Sequence, residues 1–143
     1  MLKRLSASLT VIGLLAVFAA STVTAAVPSV TETVSGNYQC AEGALYIDPV
    51  VSGTYNLPDG GTITITVNDT AAGPTFDFTT AGATIEMIVV KGGPNYNLYV
   101  LPADTTSAEG LHSPLNAKNG KWYGLSHLCI EGTKKTSEPP DTK

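Results

Sequence analysis

The side chains best suited to chemistry are few. The 143-residue chain has two histidines, His112 and His127, and two cysteines, Cys40 and Cys129. Ser126 precedes His127 and Asp104 lies upstream, so a Ser-His-Asp triad is the first arrangement to weigh. A triad needs nucleophile, base and orienting acid to converge on one point. Neighbouring residues of a strand point to opposite faces, and no Gly-x-Ser-x-Gly turn presents the serine. Ser126-His127 is instead expected to hydrogen-bond backbone and hold the 102–120 segment against the last strand. His112, His127 and Asp104 lack the short local pairs that zinc sites use. Asp104, Glu109, Asn116 and Asn119 are oxygen donors without the spacing of a calcium loop. No catalytic, metal or cofactor site is expected, and the chain is expected not to be an enzyme, because groups for acid–base or nucleophilic work are few and scattered.

Cys40 and Cys129 have neither CxxC nor Cys-His spacing, which argues against metal or redox roles. In an exported protein an isolated pair most often forms a disulfide. The bond would close a loop of about 90 residues, which the chain-entropy model values at about 4.6 kcal/mol. It would pin the first strand to the last.

Six tyrosines and one tryptophan are present, with Trp122 and Tyr123 adjacent. Flat rings of this kind can stack on sugars, although on strands most aromatics pack against neighbours. Trp122, Tyr123, His112 and His127 are the residues named for ligand binding. Lys91, with Glu86 and a neighbouring Asn, has the ingredients of an intramolecular isopeptide bond. The plainer expectation is a lysine that reaches solvent or pairs with a carboxylate, beside a Gly92-Gly93 turn.

The elements that must carry these groups begin after a leader. Lys3 and Arg4 precede an apolar run from about Leu9 to Ala20, then small residues to Ala26. This is the three-part pattern of a secretory signal peptide. Its apolar run of about 12 residues is short of the roughly 20 that span a bilayer. Cleavage after Ala25 or after Ala26 fits the small-x-small rule, so no stable membrane anchor is expected in the mature form. The formal net charge is −4, and the leader removes two cations. An acidic chain does not suit a phosphate backbone, so nucleic acid is excluded as a partner.

Beyond the leader the pattern is all β. Thr62–Val67 alternates Ile63, Ile65 and Val67 against threonines, and Phe76 and Phe78 alternate around Asp77. Thr84–Val90 is apolar on both faces, with Ile85, Met87 and Val89 on one and Ile88 and Val90 on the other. That predicts a central, doubly covered strand. A hairpin with a five-residue connection, Lys91–Asn95, is expected to lead into Tyr96–Leu101. Turn signals every 8–12 residues point to an antiparallel β-sandwich of about seven or eight strands. The expected organisation is a signal peptide over 1–26, a lead over 27–35, the sandwich over 36–132 and a disordered tail over 133–143. The turn-rich 102–120 segment is the best place for a binding surface.

Lys91-Gly92-Gly93, Asn97, Tyr99, Leu111, Pro114, Asn116, Ser126, His127 and Cys129 match an approximate pattern, VKGG…N.Y…L..P.N…YGLSH..C. With Cys40 and Gly53-Thr54-Tyr55 they make the chain resemble a module of exported bacterial proteins, from about Cys40 to Cys129. The match departs from the pattern where Leu128 stands directly before the cysteine. The resemblance implies a secreted or envelope-associated β-domain with a structural or protein-interaction role and a protein or glycan partner at the cell surface. The alternative is a small carbohydrate- or ligand-binding module.

Overall fold

The structure is a computed structural model and describes residues 25–134. Most of the expected leader and the tail beyond Lys134 lie outside them. Eleven strands and no helix are found among the described residues: β1 Glu32–Ser35, β2 Leu45–Ile47, β3 Gly53–Asn56, β4 Thr62–Thr70, β5 Gly73–Ala81, β6 Ala83–Gly92, β7 Asn95–Val100, β8 Ser107–His112, β9 Leu115–Asn116, β10 Lys121–Trp122 and β11 His127–Lys134. Two sheets, ordered β1-β7-β6-β11-β2 and β3-β4-β5-β8, pack around one core, and β9 and β10 form a two-stranded ribbon. Every pairing is antiparallel. The count exceeds the expected seven or eight because several strands are only two to four residues long.

The alternation on β4 and β5 gives what it predicts. Ile63, Ile65, Phe76 and Phe78 are buried in the core, and Val67 packs against it. Strand β6 is central, as expected, but its faces differ from simple alternation. Ile85 joins Ile88 and Val90 in the core. The register against β11 slips between Met87 and Ile85, so Glu86 is an extra residue that reverses the parity of the strand. Strand β8 uses a similar irregularity opposite Asp77, which lets both Ala108 and Leu111 face inward. The β6–β7 connection is two residues, Gly93-Pro94, rather than five, because Gly92 still pairs with Asn95. Gly93 takes a positive φ of 57°, which a residue with a side chain adopts at a cost.

Two expectations about boundaries change. The lead contributes β1 itself, paired to β7, so the sandwich starts before residue 36. The 102–120 segment is not one loop. It contains β8, β9 and the turn before β10.

The outer face of the first sheet is covered by the chain from Gly36 to Ala44. Cys40 bonds Cys129 of β11, with Cα atoms 5.5 Å apart. Tyr38 packs on Tyr96 of β7 with ring centroids 5.4 Å apart. Under this cover Val89 is fully buried although it points away from the core cluster. The disulfide therefore fastens a covering strap to the last strand. It does not join the first strand to the last, because Cys40 lies in the connection after β1.

Candidate functional site

The residues of the motif converge at one end of the sandwich, around the β6–β7 turn and the end of β8. Asn97 and Tyr99 alternate onto the inner face of β7 and reach across to the other sheet. Asn97 Nδ2 donates to the His112 carbonyl at 3.0 Å, and its Oδ1 accepts from Thr33 Oγ1 at 2.7 Å. The Tyr99 hydroxyl donates to the same carbonyl at 3.2 Å and accepts the His112 amide at 3.0 Å. Asn97 is 1% exposed, so these bonds replace all of its water. Burial pushes the Tyr99 phenol above its ordinary range, against the opposing effect of its bonds to His112 and Asn97.

Ser113, next along the chain, is fully buried and donates through Oγ to the Tyr123 carbonyl. Gly92 lies directly beneath it. A Cβ on Gly92 would sit 2.4 Å from Ser113 Cβ and 2.9 Å from the Gly124 carbonyl oxygen. A Cβ on Gly93 would sit 2.7 Å from the Tyr123 ring. The two glycines are therefore required by the close approach of Ser113, between β8 and β9, and of the β10–β11 connection.

Lys91 lies on the opposite, outer face and is only 6% exposed. Its ammonium donates to the carbonyls of Gly93 at 2.8 Å and Gly36 at 3.2 Å. This corrects the expectation that it reaches solvent or pairs with a carboxylate. Burying an ammonium is costly unless its protons find acceptors, and these carbonyls supply two. Glu86 is exposed, and Asn97 spends its amide on Thr33 and His112, so the isopeptide ingredients are not assembled.

The four residues named for ligand binding divide into two groups. His112 and Trp122 stack, with centroids 3.8 Å apart and planes 8° from parallel. His112 Nδ1 lies 2.8 Å from the Ser113 carbonyl, which can only accept, so that nitrogen carries a proton. The Trp122 amide donates to the Ala72 carbonyl in the β4–β5 turn at 2.8 Å. Tyr123 follows, with its ring on Gly93. One face of each ring is therefore occupied by protein. His127 stands apart at the start of β11, 5.2 Å from the half-exposed Tyr46. Burial pushes the His127 imidazole below its ordinary range, Lys91 pushes in the same direction, and Asp48 opposes both. Asp48 also accepts from the Tyr46 hydroxyl at 2.9 Å.

The Ser126-His127 pair does not hold the 102–120 segment. That work falls to Asn97, Tyr99 and Ser113. Ser126 contributes its amide, which donates to the Lys91 carbonyl at 2.8 Å. Asp104 is at the other end of the sandwich, in a turn where the Thr105 carbonyl accepts from Ile85. Lys91, beside His127, is six residues along β6 from Ile85, a separation of about 20 Å. No Ser-His-Asp convergence exists at that distance. Among the described residues no three His, Cys, Asp or Glu side chains gather where they could hold a metal ion.

A cavity with no signal in the sequence lies at the Asp104 end of the sandwich. A space of about 600 Å³ opens between Ala26–Thr31 and Val100–Ala108, with Val27, Val30 and Leu101 among its walls. Its turn contains Asp104 with a positive φ of 63°. The expected binding segment supplies one wall, but the opposite wall comes from the lead, which carries no motif. Among the described residues no helix is long and apolar enough to cross a membrane. No protein-family model matches this chain, and neither the curated proteins nor the solved structures give a match.

Proposed function

We propose that the chain is an exported, non-enzymatic β-domain with a structural or protein-interaction role in the envelope or outside the cell. One observation carries this reading. The polar motif side chains Lys91, Asn97 and Tyr99, with Ser113 beside them, spend their hydrogen bonds on the protein itself, mostly on its backbone. A motif of this kind preserves a shape rather than a reaction. The disulfide supports an oxidising compartment, and the leader pattern supports export and cleavage. The resemblance to exported bacterial modules agrees with both, and the formal net charge of −4 argues against a nucleic-acid partner.

The test is expression of the whole chain in an exporting bacterium, followed by fractionation and cross-linking on intact cells. The expected result is processed protein in the envelope or medium, cross-linked to a reproducible protein neighbour. Retention in the cytoplasm refutes the location, and turnover of a substrate by the purified protein refutes the non-enzymatic role.

A second reading, a small ligand-binding module, is favoured by the cavity. Its volume of about 600 Å³ falls within the range of small-molecule sites, about 300–1,000 Å³. A sugar platform on Trp122 and Tyr123 has less support, because each ring already packs one face against the protein. Glycan-array binding lost on Trp122→Ala selects the platform, and binding of small apolar probes lost on Leu101→Asp selects the cavity.

A further inference from the structure

Two leader cleavage points fit the sequence, one after Ala25 and one after Ala26, and the fold distinguishes them. Residues Ala26–Thr31 form a strap between the sheets, along one wall of the cavity. At its far end the Thr31 amide donates to the Leu98 carbonyl at 2.8 Å, and Thr31 Oγ1 accepts from the Val100 amide at 2.9 Å. Both bonds tie it to β7 of the first sheet. At its near end the Ala26 carbonyl accepts from the Glu109 amide at 3.0 Å, which ties it to β8 of the second sheet. Val27 then lies over β8, with its Cγ1 3.7 Å from where a Cβ on Gly110 would be.

Ala26 thus supplies the backbone hydrogen bond that ties the strap to the second sheet, where Val27 adds only an apolar contact. A cut after Ala26 removes that carbonyl and returns the Glu109 amide to water. A cut after Ala25 leaves the bond intact. We infer that the exported chain is processed by hydrolysis of the Ala25–Ala26 bond, so that Ala26 is its first residue. Water adds across the amide. Ala25 departs with the leader as a carboxylate, and Ala26 keeps the new α-ammonium group, at the rim of the cavity. The inference rests on the reading that the chain is exported and loses its leader.

The experiment is expression of the full chain in an exporting bacterium, with intact-mass measurement and N-terminal sequencing of the product. The expected sequence begins Ala26-Val27-Pro28. A product beginning at Val27 or later overturns the inference and leaves export standing. An unprocessed cytoplasmic chain overturns both. Amide exchange separates the structural argument from the peptidase. In protein made to begin at Ala26, the Glu109 amide should exchange about tenfold more slowly than in protein beginning at Val27. Equal rates would show that the strap does not depend on Ala26.

Discussion

Removing the disulfide by Cys40→Ala with Cys129→Ala tests how the outer strap is held. The bond closes a span of 89 residues. The chain-entropy relation for a loop of that size gives about 4.6 kcal/mol at 25 °C. That is the full loss if the strap stays in place in the variant. The strap has other holds, since Gly36 accepts from Lys91 and Tyr38 rests on Tyr96. If it detaches instead, Gly36–Ala44 regain backbone freedom and the loss is smaller, at the expense of wetting the buried Val89. The expected cost is therefore about 2–4.6 kcal/mol, or a fall in Tm of roughly 8–18 °C for a domain of about 110 residues. Urea unfolding measures the cost, and hydrogen exchange locates it. Amides of 36–44 should open first while the β6–β11 ladder stays protected. Unchanged stability, or two titratable thiols in the exported wild-type protein, would refute the reasoning.

Gly92→Ala should destabilise by about 1–3 kcal/mol or more, since the new methyl meets Ser113 Cβ at 2.4 Å. Gly124→Ala, with nothing within 4 Å of its Cβ position, should be close to neutral by the same thermal-melt comparison. Asn97→Ala and Tyr99→Phe should each cost about 1–3 kcal/mol and should not add, because both side chains bond the His112 carbonyl. A double-mutant cycle in urea checks the coupling. For His127 the sign follows from an imidazole whose folded value is held below the ordinary 6.5. Between those two values the unfolded chain binds more protons, so stability falls as pH drops below about 6.5 and levels off beneath the folded value. Stability–pH curves should lose that slope in His127→Gln, and an unchanged slope would exclude His127 as its source.

The strands were legible where period-2 alternation was clean, as at Ile63–Ile65 and Phe76–Phe78, and the covered central strand was legible from its apolar run. The cysteine pair was legible from its isolation. The faces of β6 were not, because the bulge at Glu86 arises from register against a strand some 40 residues away, which no local pattern carries. The burial of Lys91 has no local signal, because the Gly36 carbonyl that holds it lies more than 50 residues earlier. Asn97 and Tyr99 were visible as motif residues, but their reach to His112 depends on how the sheets stack. The cavity wall at Val27 and Val30 has no local signal, because it lies in a short segment without motif or strand alternation.

The perimeter of the two sheets has a consequence for how copies of this chain behave at high concentration. A sheet rim offers unpaired N–H and C=O groups on which another chain can grow, a route to fibres. Here β1 and β3 have four residues each and β2 has three. Among the described residues β8, with six, is the longest edge strand of the two sheets. It is interrupted by Gly110, whose φ of 70° bends it, and Ala26 already occupies its Glu109 amide. The fold therefore gives neighbouring molecules little ladder to extend. A β-rich chain built this way can stay dispersed when crowded, and losing the Ala26 carbonyl would free backbone on the longest of these edge strands.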